Sequence, residues 1–483
     1  MPNYQFQCAP PALLRLQVAS CQSTIESRPT RSAYRRHPPA TVNTVYDIPE
    51  IGRGRGTGGR IRIPPGVDVP LTNRVRRLID SVGFRRLANI SQLGLVRLIY
   101  PAANHTRHEH SLGVFLAAIE YLDHLASDDR FAAAIAPHDA ELLLAAALLH
   151  DIGHWPFGHP IEDLGLPDIP NHESLAGREI TTGQIAEVLR DDWRLEPADV
   201  ANLVCGKVQS RPHRLLRSIL SGPIDVDKID YLMRDSLHAG VPYGQNFDRR
   251  RLISSMCLNE AGDALALTDK GKTAAEMMVF ARYVMFSEVY WHHAVRSATA
   301  MLQRAFYILR GNLDLAQLVE MTEQPLIDAL LNASKNTPAA ELSTGIFGPQ
   351  RALYKRLAQY SFVEEPDLYR RMARHPYAEL LAFADKIAAM LGSALGSEVA
   401  PNQVLVDAPP TKLEVDFNID VHFAKQNTFR RLGDISPVVR TLAQEQFDNY
   451  VKRVRIFVHP RIADACRKVP QLSERLAETI ENS

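Results

Sequence analysis

The stretch LLHDIGHWPFGHP, residues 148–160, ends an apolar helix with three histidines, an aspartate and a tryptophan. Cations near a helix C-terminus are mildly favourable, but that does not account for the carboxylate of Asp151 beside His150. Imidazole and carboxylate together bind divalent transition metals. Two adjacent residues reach one ion only if ligands from elsewhere complete the sphere. His110 in HTRHEHSLGV and Asp227 in IDVDKIDYLMRD are the candidates. The set His110, His150, Asp151 and Asp227 would leave a position for water or a substrate oxygen, which a catalytic metal needs. The zinc-protease pattern HExxH is absent, because neither His108-Glu109 nor His172-Glu173 has the second histidine. The other His-Asp dipeptide, His138-Asp139, falls at an expected helix start, where Asp139 serves as an N-cap.

These residues need helices to carry them. Leu112, Phe115, Leu116, Ile119 and Leu122 recur at spacings of three and four and define one helical face. Leu142, Leu143, Ala146 and Leu149 define another, with Gly153 placed to stop that helix. The helical pattern runs from about Thr72 to Leu395. Beyond residue 400 the texture changes. Apolar residues alternate with polar ones from Leu413 to Phe423, which predicts a half-buried strand. Val451–Val458 predicts a second strand and Val404–Val406 a third. The expected fold class is therefore mainly α, with a small C-terminal α+β lobe. The expected division is a flexible tail over 1–44, a helical body over 45–396 and the lobe over 397–483. The run GRGRGTGG from Gly52 lacks a Walker lysine and reads as a turn between short strands rather than a phosphate loop.

Composition narrows the classes. The chain has 483 residues, 46% hydrophobic and 23% charged, with zero formal net charge, so no global attraction to nucleic acid or membrane is indicated. The first 62 residues nevertheless hold nine arginines, no lysine and three acids. The apolar run Leu142–Leu149 is too short to span a bilayer. Val18-Ala19-Ser20-Cys21 reads as a chance match to a lipoprotein cleavage site. Five scattered cysteines without a CxxC fit a reducing cytoplasm.

Four motifs, RHEHSLGV, LLHDIGHWPFGH, NHES and IDVDKIDYLMRD, stand in that order. Together they resemble the HD-domain deoxynucleoside triphosphate triphosphohydrolases, of the bacterial dGTPase-like and vertebrate SAM-and-HD-domain types. The resemblance runs from about Tyr46 to about Ile462. It implies an HD helical body and hydrolysis of dNTPs to deoxynucleoside and inorganic triphosphate. It makes His110, His150, Asp151 and Asp227 the ligands of a divalent ion (Fe, Mn, Zn, Co or Ni), with Mg accompanying the substrate. His172 matches the catalytic histidine and Glu162 its partnering carboxylate, while His154 and His159 line the same cavity. Arg107, Lys228 and Arg282 match triphosphate-binding positions, with Tyr231 adding a hydroxyl donor. Gln92 and Asp235 match the residues that hold the sugar 3′-hydroxyl. Leu93 and Tyr290 match those that crowd its 2′-carbon. The implied assembly is a dimer or tetramer. Which of His159 and His172 serves as acid stays open at this point.

Two departures from that pattern carry expectations. Ala88 replaces an arginine that binds an activating nucleotide in the vertebrate enzyme, leaving Arg85 or Arg86 to take part of that role. Trp155 replaces a small residue and is expected to narrow the cavity beside the metal. The alternatives are another HD phosphohydrolase, such as a nucleotidase or phosphodiesterase, and a non-catalytic protein that binds single-stranded nucleic acid through the Arg-rich tail.

Overall fold

A computed structural model describes residues 44–52, 59–206, 208–410, 418–442 and 451–482. The expected tail to Asn43, Cys8, Cys21, the arginine-rich part of the glycine run (53–58) and residues 413–417 of the alternating segment lie outside the described residues. The fold is mainly α, as the sequence predicts.

The chain enters through a hairpin of β1 (Gly59–Ile63) and β2 (Val67–Leu71). Gly59 opens β1, so the glycine run precedes the hairpin; the turn itself is Pro64–Gly66. Thr72 then starts the first helix by accepting the Val75 N–H.

Two helices form the centre. Arg107–Leu125 is capped by Thr106, whose hydroxyl accepts the Glu109 N–H. Leu112, Phe115, Ile119 and Leu122 are buried on it and Leu116 partly so, but Val114, Ala117, Ala118 and Tyr121 are buried too. Neighbours therefore cover more than one stripe. Pro137–Leu149 is buried along nearly its whole length. Its start corrects the expected cap. Proline opens the helix, and Asp139 lies in its third position, reaching back to accept the Ala136 N–H at 3.1 Å.

Three sheets are present among the described residues: β1-β2, β3-β4-β7-β8 and β5-β9-β6. β3 (Met256–Leu258) and β4 (Leu265–Thr268) form a hairpin within the helical body. β5 is Lys355–Tyr360 and β6 is Val404–Asp407. The alternating segment contributes β7 (Asp420–Phe423), which pairs in parallel with β4 and antiparallel with β8 (Thr428–Arg431). The predicted strand at Val451–Val458 begins at Val454. This β9 (Val454–Val458) is buried along its full length because β5 and β6 flank it. Val404, Val406, Val454, Ile456 and Val458 share a core with Tyr360 of β5 and with Ile387 and Leu391 of the helix Tyr377–Leu395. That sheet is thus built from chain on both sides of residue 397. Among the described residues no helix is long and apolar enough to cross a membrane.

Candidate metal and hydrolase site

The two histidine-bearing helices meet a third, Val226–Ala239, which opens where the Asp225 side chain accepts the Lys228 N–H. It crosses the His110 helix at Gly113. A Cβ on Gly113 would lie 1.9 Å from Asp230 Oδ1 and 2.3 Å from Arg234 Nη2, so only hydrogen fits there. Gly153 plays a similar part after the second helix. A Cβ there would lie 2.2 Å from both Ala176 N and His172 O, so its absence lets the helix His172–Thr181 approach the motif.

This packing brings the four sequence-predicted ligands together. His110 Nε2 lies 3.0 Å from Asp227 Oδ1 and 3.2 Å from His150 Nε2. His150 Nε2 lies 3.8 Å from Asp227 Oδ1 and 3.6 Å from Asp151 Oδ1. Ligands about 2.1 Å from one ion sit roughly 3–3.5 Å apart, so the donor set fits a divalent transition metal. The backs of both rings are held. His110 Nδ1 faces Asp230 Oδ2 at 2.9 Å, and His150 Nδ1 donates to Ala147 O at 2.9 Å, which turns both Nε2 lone pairs inward. The Asp227 side chain stays 35% exposed, which leaves that side of the cluster open.

The electrostatics follow. Burial alone would lower the His110 pKa, but hydrogen bonds with Asp227 and Asp230 outweigh it and push the imidazole up to about 10. Burial would raise Asp230, yet bonds from Arg234 and His110 hold it down to about 2. Asp151 is buried and nonetheless kept well below the usual carboxylate range by His154 and Arg107. Arg107 Nη1 donates to Asp151 Oδ2 at 2.7 Å.

Beside the quartet lies a cavity of about 290 Å³. Gln92, Arg107, His154, His159, His172 and Tyr231 line it with the four candidate ligands. Burial and then Arg107 lower His159 to about 4, and the same two causes hold His154 well below the usual imidazole range. His172 Nδ1 lies 2.8 Å from Glu162 Oε2, and Glu162 Oε1 accepts the His172 backbone N–H at 3.1 Å.

The other candidate residues do not line this cavity. Lys228 Nζ is engaged by Asp225 Oδ2 at 2.6 Å and Gly222 O at 3.0 Å. Tyr290 donates its hydroxyl to Asp235 Oδ2 at 2.5 Å, and His105 Nε2 contacts Asp235 Oδ1 at 2.9 Å. Arg282 is buried and its charge acts on Lys228, Tyr231 and Tyr290. Leu93 packs half-buried against the main core.

One expectation is corrected. Trp155 does not line the cavity; it is buried and its indole N–H donates to Glu162 Oε1 at 3.3 Å. It braces the carboxylate instead of filling the space. Arg86 is already committed, since it donates to Ile152 O, His154 O and Val319 O and so fastens the metal-motif loop. Phe157, in the same loop, adopts a left-handed backbone with φ +56°, a conformation costing about 1–2 kcal/mol for a non-glycine residue.

The sequence reading missed Asp230, Arg217 and His105. Asp230 had a signal, because it follows Asp227 by three positions and so shares its helix face. Arg217 lines the cavity from a separate helix, Arg211–Leu220, with no motif to mark it.

The HD domain family model matches residues 107–235, and the model of the HD-associated region matches residues 247–472. An uncharacterized protein of Methanocaldococcus jannaschii is 34% identical over 62% of this chain and 59% of its own length. The deoxynucleoside triphosphate triphosphohydrolase SAMHD1 of Gallus gallus is 30% identical over 48% of this chain and 42% of its own. The chain thus spans about half the length of these curated relatives. The crystal structure of a hypothetical protein from Aquifex aeolicus superposes with a TM-score of 0.65 at 27% identity, covering 85% of this chain and 99% of that one. The chain carries an HD domain followed by an HD-associated region, and the matches support an HD-domain phosphohydrolase family.

Proposed function

We propose that this chain hydrolyses deoxynucleoside triphosphates to deoxynucleoside and inorganic triphosphate. The observation that carries the reading is one cavity holding the His110–His150–Asp151–Asp227 cluster, the His172–Glu162 pair and Arg107. The names of the SAMHD1 relatives point the substrate class toward dNTPs.

His110, His150, Asp151 and Asp227 would hold the divalent ion, of the Fe, Mn, Zn, Co or Ni type. When bound, such an ion polarises a phosphoryl oxygen and favours deprotonation of water. Arg107 and Arg217 bring positive charge to the cavity, suited to the polyphosphate. Breaking the bond from α-phosphorus to O5′ leaves an alkoxide that needs a proton. His172 is the donor this geometry favours: Glu162 stabilises its imidazolium, whereas the ring of His159 faces His154. Asp235, held by Tyr290 and His105, would accept from the 3′-hydroxyl, with Gln92 beside it. Tyr290 and Leu93 would crowd a ribose 2′-hydroxyl, and Lys228, Arg282 and Tyr231 would extend the polyphosphate contacts. In the same reading the helical body covers 45–396, the lobe covers 397–483 while borrowing β5, and the working form is a cytoplasmic dimer or tetramer.

The test is a product assay on all four dNTPs with a series of divalent metals, read by phosphorus NMR. Inorganic triphosphate with free deoxynucleoside is expected. Pyrophosphate with deoxynucleoside monophosphate, or turnover only of monophosphates or cyclic diesters, would replace this reading with another HD phosphohydrolase.

A further inference from the structure

Asp235 is buried, and each of its oxygens meets a ring. Tyr290 donates its hydroxyl to Oδ2 at 2.5 Å, and His105 Nε2 stands 2.9 Å from Oδ1. A carboxylate only accepts, so the ring proton of His105 belongs on Nε2. Each carboxylate oxygen keeps a second lone pair for a further donor. Donors on both oxygens stop the group from turning and so fix where those lone pairs point.

His105 is itself held by packing. Its side chain is fully buried, and its Nδ1 has no hydrogen-bond partner among the described residues. A second imidazole lies against its face. The rings of His105 and His238 stack with centroids 4.4 Å apart and planes 16° from parallel. His238 follows Asp235 by three positions on the helix Val226–Ala239, so one helix face supplies both the carboxylate and the ring that backs its partner. His238 Nε2 lies 2.9 Å from Glu109 Oε1. The same oxygen accepts from Arg234 Nη1 at 2.6 Å, and Arg234 bonds twice to Asp230. The outer ring is therefore anchored and cannot slide away from the inner one.

We propose that His105 and His238 are positioning residues for recognition of the substrate 3′-hydroxyl, a role that rests on the dNTP reading. His105 fixes the Asp235 carboxylate, and the His238 ring keeps His105 in place. Neither histidine touches the substrate.

Two constants separate this role from a purely structural one. The first is KM for the dNTP turned over fastest. The second is Ki for its 2′,3′-dideoxy counterpart as a competitor, which keeps the base and triphosphate and lacks only the 3′-hydroxyl. His105→Phe keeps a ring in the stack and removes the donor, so it should raise KM about tenfold. His238→Ala removes the stack and should raise KM by less. In both variants Ki should stay at the wild-type value and kcat should change less than KM. An unchanged KM in either variant, or a Ki that rises in step with KM, overturns the proposal. Should His105→Phe not fold, His238→Ala decides alone by the same two constants. A wild type that turns over no dNTP refutes the dNTP reading and this role together, whereas wild-type turnover with an unmoved KM in the variants sinks this role only.

Discussion

His110 Nδ1 faces Asp230 Oδ2 at 2.9 Å, and the same carboxylate takes two hydrogen bonds from Arg234, at 2.8 Å each. Asp230 touches no other member of the ligand quartet, yet it sets which nitrogen of His110 is free to bind. Asp230→Asn keeps the shape and removes the charge. Losing such a partner costs about 10–100-fold in metal affinity. Competition with a chromophoric chelator measures this, and an unchanged affinity would show that Asp230 serves only Arg234.

The His172–Glu162 pair should separate chemistry from binding. His172→Ala is expected to slow turnover by about 10²–10⁴-fold while the ion bound by Asp227 is retained. Glu162→Gln should give a smaller loss and a displaced pH profile. A rate in His172→Ala equal to the wild type excludes it as the proton donor.

Metal uptake should compete with protons at His110. Chelated protein holds this imidazole at about 10, because its bonds with Asp227 and Asp230 outweigh burial. A folded pKa above the unfolded value of about 6.5 stabilises the fold fully below pH 6.5, and the contribution disappears as pH rises through about 10. The melting temperature of chelated protein should therefore fall between pH 7 and 10, and His110→Ala should flatten that slope. Equal slopes in the two proteins would mean that His110 is not the titrating group. Zinc binding near neutral pH should release protons, visible as a buffer-dependent heat in calorimetry.

Tyr290 holds Asp235 by the hydroxyl bond. Tyr290→Ala should raise the rate on GTP relative to dGTP, and GTP as inert as before would place the sugar gate elsewhere. Tyr290→Phe isolates the bond to Asp235 and should raise KM for dNTPs more than it lowers kcat.

The candidate quartet was legible in the sequence because each of its residues sits in an ordered motif whose residue types have few other uses. What surrounds it was less so. Asp230 reads as the i,i+4 partner of Arg234 on its own helix, and only the crossing with the His110 helix brings it to that imidazole. Trp155 reads as bulk near a metal. The left-handed turn at Phe157, two residues on, is one that local propensity disfavours. Arg86 reads as a candidate nucleotide contact until the motif loop presents two carbonyls and Val319 a third. The long alternating segment predicts a strand, but not that β7 would join β4, because pairing across about 150 positions leaves no trace in local periodicity.

The contact at Gly113 bears on how this architecture can vary. Because the helix of His110 and the helix of Asp227 touch backbone against side chain there, ligand spacing is held by direct fit and not by the polypeptide joining them. The stretch between them carries His150 and Asp151, so only its loops could change length without moving donor atoms. One added methyl at position 113 would displace the Asp230 carboxylate and the Arg234 guanidinium that back the His110 ring.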